Sequence, residues 1–294
     1  MHQNLAVVVV CLLLSAIFPA SALNIIVPAY FYPNNVPDPV WTEMDNGYPT
    51  VSMVVANANN GPGSSYDPNY GAAINATGEK GLLVLGYVPS NYNNTPLATV
   101  ESNINAWASI YGQSRLNGIF IDEGSNLCSD ASYYASIRTF IHGKSSNWIM
   151  IMNPGTTLPS CFANSSDTFV TFESDYSQYH KFALAGWETA YAATRFYHIV
   201  YTAPNVSAME DVVNRAKNNH VGYVYITNDT LPNPYNGLPS YWTTELSAVA
   251  SAGTTTTSPG TSSPSSGSSS SCGSHLKPSW SVDGLFRSLT SSPK

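Results

Sequence analysis

The chain has 294 residues, with 11 Lys and Arg against 18 Asp and Glu, and charged residues make up 10% of it, where an ordinary soluble domain carries roughly 25%. A net charge of −7 argues against nucleic acid as a partner, because phosphate binding depends on clustered cations that release counterions. Disorder throughout is excluded too, since 43% hydrophobic residues with 19 Tyr, 10 Phe and 6 Trp can bury a large core.

Residues 1–22 read as an export signal: an apolar run from Leu5 to Leu14, then Phe18-Pro19 and the Ala20-Ser21-Ala22 cleavage pattern. The run is well short of the roughly 20 residues a spanning helix needs, so no transmembrane segment is expected. The mature chain would be secreted, extracellular or attached to a cell wall. At the other end, every residue from 251 to 271 except Ala252 is Ser, Thr, Gly or Pro. Such a segment cannot bury enough apolar surface to offset its ordering entropy, and 251–294 is expected to be a disordered stalk and tail. One domain remains, residues 23–250.

Within it, short apolar runs rich in β-branched and aromatic residues recur, bounded by Gly, Pro or Asn. They lie at 25–32, 51–56, 82–87, 118–122, 149–153, 168–173, 196–201 and 223–227. Continuous apolar runs of this kind describe parallel strands covered on both faces. Helical patterns stand between them. Val100, Ile104, Trp107, Ala108 and Tyr111 form one stripe of a helix over 99–111. Asp130 is placed as the N-cap of a helix that turns Tyr133, Tyr134, Ile137, Phe140 and Ile141 inward. Ser207 to Glu210 has the form of a capping box. Eight alternations in about 230 residues predict an α/β fold, a (β/α)8 TIM barrel, rather than an open doubly wound sheet. No G-x-G-x-x-G follows the first strand.

A barrel of this type carries its chemistry where strands end. The polar residues leaving those ends are Tyr30, Tyr32, Asn57, Asn59, Tyr87, Asp122, Glu123, Asn153, Glu173, Asp175, Tyr201, Asn228 and Asp229. Two carboxylates facing each other across a barrel mouth suit glycosidic bond cleavage, one as proton donor and the other as nucleophile or base. From spacing alone, a Mg²⁺ or Ca²⁺ site and simple structural capping stay open. The six His show no zinc spacing, and no G-x-S-x-G marks a serine hydrolase. Neither a metal nor any other cofactor is expected. Tyr30, Tyr32, Trp41, Tyr87, Tyr92, Tyr176 and Tyr201 are candidate sugar-facing aromatics, whereas Trp107 and Trp148 read as packing residues. Cys128 and Cys161 are the two cysteines of the domain. They follow neighbouring strands, whose loops meet above the mouth, and an oxidising compartment favours a disulfide between them. Sequons at Asn75, Asn93, Asn164, Asn205 and Asn228 are potential glycosylation sites.

The motifs Ile-Val-Pro-Ala-Tyr-Phe-Tyr-Pro at 26–33, Asn-Gly-Pro-Gly at 60–63, Leu-Gly-Tyr-Val at 85–88, Gly-Ile-Phe-Ile-Asp-Glu at 118–123, Asn-Pro-Gly-Thr at 153–156 and Phe-Glu at 172–173 resemble the spherulin-4-like family. That family is associated with glycoside hydrolase family 135, fungal barrels that cut N-acetylgalactosamine-containing galactosaminogalactan internally at α-1,4 links. The resemblance implies a glycosidase acting on an amino-sugar polysaccharide, with Asp122, Glu123 and Glu173 as the acids on which activity depends; separately, a monomer is expected. A retaining mechanism is the working hypothesis, with Asp122 as nucleophile, Glu173 as acid/base and Glu123 orienting a neighbour or touching sugar. Tyr30, Tyr32, Asn57, Asn59, Tyr87, Asn153 and Tyr201 would bind substrate. The competing expectation is a non-catalytic carbohydrate-binding protein of a cell wall or spore coat.

Overall fold

A computed structural model describes residues 22–252. All but the last residue of the expected signal, all but two residues of the expected stalk, Cys11 and Cys272 therefore lie outside the described residues. Eight parallel strands close into a barrel in sequence order. They are β1 (Asn24–Ala29), β2 (Val51–Ala56), β3 (Leu83–Pro89), β4 (Gly118–Asp122), β5 (Ile149–Met152), β6 (Thr168–Asp175), β7 (Phe196–Tyr201) and β8 (Tyr223–Ile226). Around them lie α1 (Pro39–Asp45), α2 (Pro68–Glu79), α3 (Leu97–Trp107), α4 (Ala131–Lys144), α5 (Tyr176–Tyr179), α6 (Val206–Asn218) and α7 (Trp242–Ala252). No helix among the described residues is long and apolar enough to cross a membrane.

The strands form where the apolar runs stand because both faces are covered. Ile25, Val54, Leu85, Ile119, Ile151, Val170 and Val224 are all fully buried. The first run ends earlier than its composition predicts: the Tyr30 amide turns back onto the Pro28 carbonyl at 3.0 Å, and the chain leaves the sheet after Ala29. The closing seam, β8 to β1, is short, pairing only at Asn24 with Tyr223 and Ile25 with Val224. Side chains fill it. The Tyr197 hydroxyl donates to the Ile26 carbonyl at 2.7 Å, and the Ile226 amide donates to the buried Glu245 carboxyl at 3.1 Å.

Helix faces follow the predicted stripes: Val100, Ile104, Trp107 and Tyr111 are buried on α3 and the turn after it, and Tyr134, Ile137 and Ile141 on α4. Both predicted caps need correction. Asp130 precedes α4 but makes no cap bond, because its carboxylate accepts instead from the Ser125 and Ser129 hydroxyls at 2.6 and 3.0 Å. Ser207 lies inside the first turn of α6, and the cap is Asn205, whose Oδ1 accepts from the Ala208 amide at 3.0 Å. An N-terminal Asn satisfies an otherwise orphaned amide as well as Ser does.

Cys128 and Cys161 are joined in a disulfide. It ties the loop after β4 to the loop after β5 across a sequence separation of 33 residues, a span for which loop-closure entropy gives roughly 3 to 4 kcal/mol.

Candidate active site

The site begins with the placement of Tyr87. Gly86 has no side chain, and a Cβ there would lie 2.6 Å from the Trp107 ring. The indole of α3 therefore lies flat on β3 and donates its N–H to the Tyr87 carbonyl at 2.8 Å. From that anchored backbone the Tyr87 hydroxyl donates to Asp122 Oδ2 at 2.7 Å. Tyr87 pairs in register with Phe120, two residues before the acid.

Asn153, one residue past β5, links the acids. Its Oδ1 accepts the Gly155 amide at 2.9 Å, which fixes the orientation of the side-chain amide and turns Nδ2 towards the mouth. Nδ2 donates to Asp122 Oδ1 at 2.7 Å and to Glu173 Oε2 at 2.6 Å. These two oxygens share one nitrogen, so they are separated by no more than the two bonds laid end to end, about 5.3 Å. Gly155, in the left-handed region at φ 66°, also accepts the Glu173 amide at 3.0 Å. One Asn-Pro-Gly turn thus positions both carboxylates.

The other oxygen of Glu173 is held by the Tyr235 hydroxyl, from the loop between β8 and α7. Tyr30 stands edge-on to both supporting phenols, with ring centroids 5.5 Å from Tyr87 and 5.6 Å from Tyr235. Burial raises the Asp122 carboxyl above its ordinary range, and bonds from Tyr87, the Glu123 amide and Asn153 oppose that rise. Burial and then the charge of Asp122 push Glu173 up to about 7, against the pull of Tyr235 and Asn153. Asp122, with three donors to its charged form, is the group that ionises first. Glu173 keeps its proton longer. Two acids driven apart in this way can act as a base or nucleophile and an acid at the same pH.

Glu123 takes a different path. Its backbone is left-handed at φ 53°, which costs a non-glycine residue about 1 to 2 kcal/mol. Its carbonyl accepts the Tyr92 amide at 2.7 Å and the Ser90 hydroxyl at 2.9 Å. Burial and the neighbouring Asp122 charge raise its carboxyl, opposed by a bond from the Asn91 backbone.

Of the other residues singled out by sequence, Tyr201 ends β7 nearly buried, and burial, followed by the Glu173 and Asp175 charges, raises its phenol. Tyr32 lies away from the acids, bonded to Asp67 and Asn69 with its ring against Tyr70. Asn57 holds its own loop: its side-chain oxygen accepts from Gly61 at 2.9 Å. Asn59 is exposed beside it. Trp41 is buried and donates to the Phe31 carbonyl at 3.2 Å, and Tyr176 donates to Asp211 at 3.2 Å. Asn164 and Asn205 are exposed, whereas Asn75, Asn93 and Asn228 are half-buried. Among the described residues, no group of three or more His, Cys, Asp or Glu could hold a metal ion. Sequence reasoning missed Tyr235. It sits in an aperiodic Pro- and Asn-rich loop, and its one signal was an aromatic residue following the last strand.

A closed (β/α)8 barrel with two bridged carboxylates at the ends of β4 and β6 defines the class. The chain belongs to spherulation-specific family 4, whose family model matches residues 24–249. Spherulin-4 of Physarum polycephalum is 30% identical over 237 residues, covering 77% of this chain and 70% of that protein. The crystal structure of Aspergillus clavatus Sph3 in complex with GalNAc matches the fold with a TM-score of 0.68 at 21% identity, over 78% of this chain and 98% of that one.

Proposed function

We propose that the protein is a secreted glycoside hydrolase that cuts an amino-sugar polysaccharide internally, at α-1,4-linked N-acetylgalactosamine, with retention of configuration. One observation carries the reading: a single amide, Asn153 Nδ2, bonds to both Asp122 and Glu173. The limit of about 5.3 Å on those oxygens supports the roughly 5 to 5.5 Å separation of retaining enzymes over the wider spacing of inverting ones. The GalNAc bound to the Aspergillus relative supports the substrate class.

In the first step the Asp122 carboxylate attacks the anomeric carbon while Glu173 gives its proton to the departing glycosidic oxygen. Bonds from Tyr87, Asn153 and the Glu123 amide keep Asp122 charged and aimed. In the second step the Glu173 carboxylate takes a proton from water, whose oxygen attacks the same carbon and releases Asp122. Tyr30 and Tyr201 line the sugar site in this reading, and Tyr32, Asn57 and Asn59 stand further out on the rim. The exposed sequons at Asn164 and Asn205 would carry glycans.

Purified protein incubated with acetylated and with de-N-acetylated galactosaminogalactan should release reducing ends from at least one of them. Asp122→Asn should be slower by at least about a thousandfold, the scale of losing a catalytic nucleophile. Equal release by both proteins, or release by neither, sinks the assignment and leaves the carbohydrate-binding alternative.

A further inference from the structure

Large exposed aromatic side chains among the described residues include Tyr32, Tyr48, Tyr66 and Tyr92. Tyr32 is engaged by Asp67 and Asn69, Tyr66 packs against Tyr111, and Tyr48 lies against Gly81, before β3. Tyr92 differs in two ways. The residue is 44% exposed, yet its phenol feels the charge of Glu123, Asp122 and Glu173 in addition to burial. It also sits in the middle of three consecutive left-handed residues, Asn91 at φ 46°, Tyr92 at 53° and Asn93 at 70°. Asn tolerates that region; Tyr is disfavoured there.

The turn is bolted to the strand end that bears the nucleophile. The Ser90 amide donates to the Asp122 carbonyl at 2.9 Å, the Ser90 hydroxyl reaches both the Asp122 and Glu123 carbonyls at 2.9 Å, and the Tyr92 amide donates to the Glu123 carbonyl at 2.7 Å. The Asn94 and Thr95 amides close the turn on the Asn91 and Ser90 carbonyls at 2.8 and 3.2 Å. A rare backbone conformation, fixed by this many bonds, holds an apolar ring where it gains little burial. Strain of this kind is retained where a site needs a group in one place.

We propose that Tyr92 is the stacking platform of a sugar-binding position beside the cleaved bond, on the β3–β4 side of the mouth. The position takes the apolar face of a neutral pyranose ring, and Glu123 serves it as a positioning residue through its carbonyl. This rests on the glycosidase reading for its substrate class. The ring contributes binding that is equal in ground and transition states, so it sets KM and leaves the chemical step unchanged.

The test compares wild type with Tyr92→Ala, Tyr92→Asn and Tyr92→Trp on α-1,4-linked N-acetylgalactosamine oligosaccharides. Asn keeps a left-handed turn without a ring, and Trp keeps a ring. The Ala and Asn variants should raise KM about tenfold with kcat within twofold and an unmoved pH profile, and Trp should hold KM within threefold. An unchanged KM in Ala and Asn, or a loss confined to kcat, overturns the proposal. Should wild type release nothing, calorimetric binding of the same oligosaccharides to Asp122→Asn and to the Asp122→Asn, Tyr92→Ala double variant separates the two claims. Tenfold weaker binding by the double variant upholds the platform without the hydrolysis. Equal affinity, or no binding by either, overturns it.

Discussion

The proposed chemistry rests on a few side chains that stand close to strands, and on one that does not. Asp122, Asn153, Glu173 and Tyr87 sit on or one step past strands, so a barrel reading of the sequence alone places them at the mouth. Tyr235 reaches Glu173 across 62 residues of chain from a loop with no period, and no pattern reveals such a contact. Its effect is predictable. The Tyr235 hydroxyl favours the ionised form of Glu173 and works against the burial that pushes the acid to about 7. Tyr235→Phe removes that support, so Glu173 keeps its proton to higher pH. The alkaline limb of kcat/KM, which reports the free enzyme, should move up by roughly one unit, the scale of a hydrogen bond to a charged group. A profile of kcat/KM against pH checks this, and a limb that stays in place or moves down is incompatible with Glu173 as the proton donor.

Between elements, the apolar runs located all eight strands because strands buried on both faces leave an uninterrupted signal. Caps and connections were less legible, since they depend on which of several nearby polar groups wins a given amide or hydroxyl. Asp130 turned to Ser125 and Ser129, and Asn205 displaced Ser207 as the cap of α6. Ties between elements also set the pH response of the fold. Asp45 of α1 accepts from Thr77 of α2 at 2.9 Å, and burial pushes its carboxyl up to about 6. Glu188, in the connection before β7, is fully buried with neither carboxylate oxygen bonded, and burial pushes it to about 7. Both acids hold protons more tightly folded than unfolded, so their contribution is complete below about pH 4 and is lost as pH rises through 6 and 7. Asp167 runs the other way. Although burial opposes it, bonds from the Met150 amide, His142 and Arg138 hold its carboxyl below the ordinary value. Its contribution is present above about pH 4 and lost below. Melting temperature should therefore peak near pH 4 to 5 and fall towards pH 7, and Glu188→Gln should flatten that fall. A thermal melt series across pH 3 to 8 reads it directly, and a melting temperature that climbs from pH 5 to 7 would show the buried acids to be better paired than this.

On the scale of the whole molecule, the sparse charge of the chain leaves its few acids conspicuous, and the fold gathers two of them from strands two apart in the barrel. The barrel's closure fixes the spacing: Asn153 can reach both carboxylates only because β5 lies between β4 and β6. That short spacing is the centre of the account, because the proposed mechanism needs Asp122 to act as a nucleophile on the carbon rather than as a base through water. The stereochemistry of the first-formed product tests it most directly. Proton NMR during cleavage of an α-1,4-linked N-acetylgalactosamine polymer, recorded before mutarotation, should show the new reducing end appearing as the α anomer. A β anomer appearing first would contradict it.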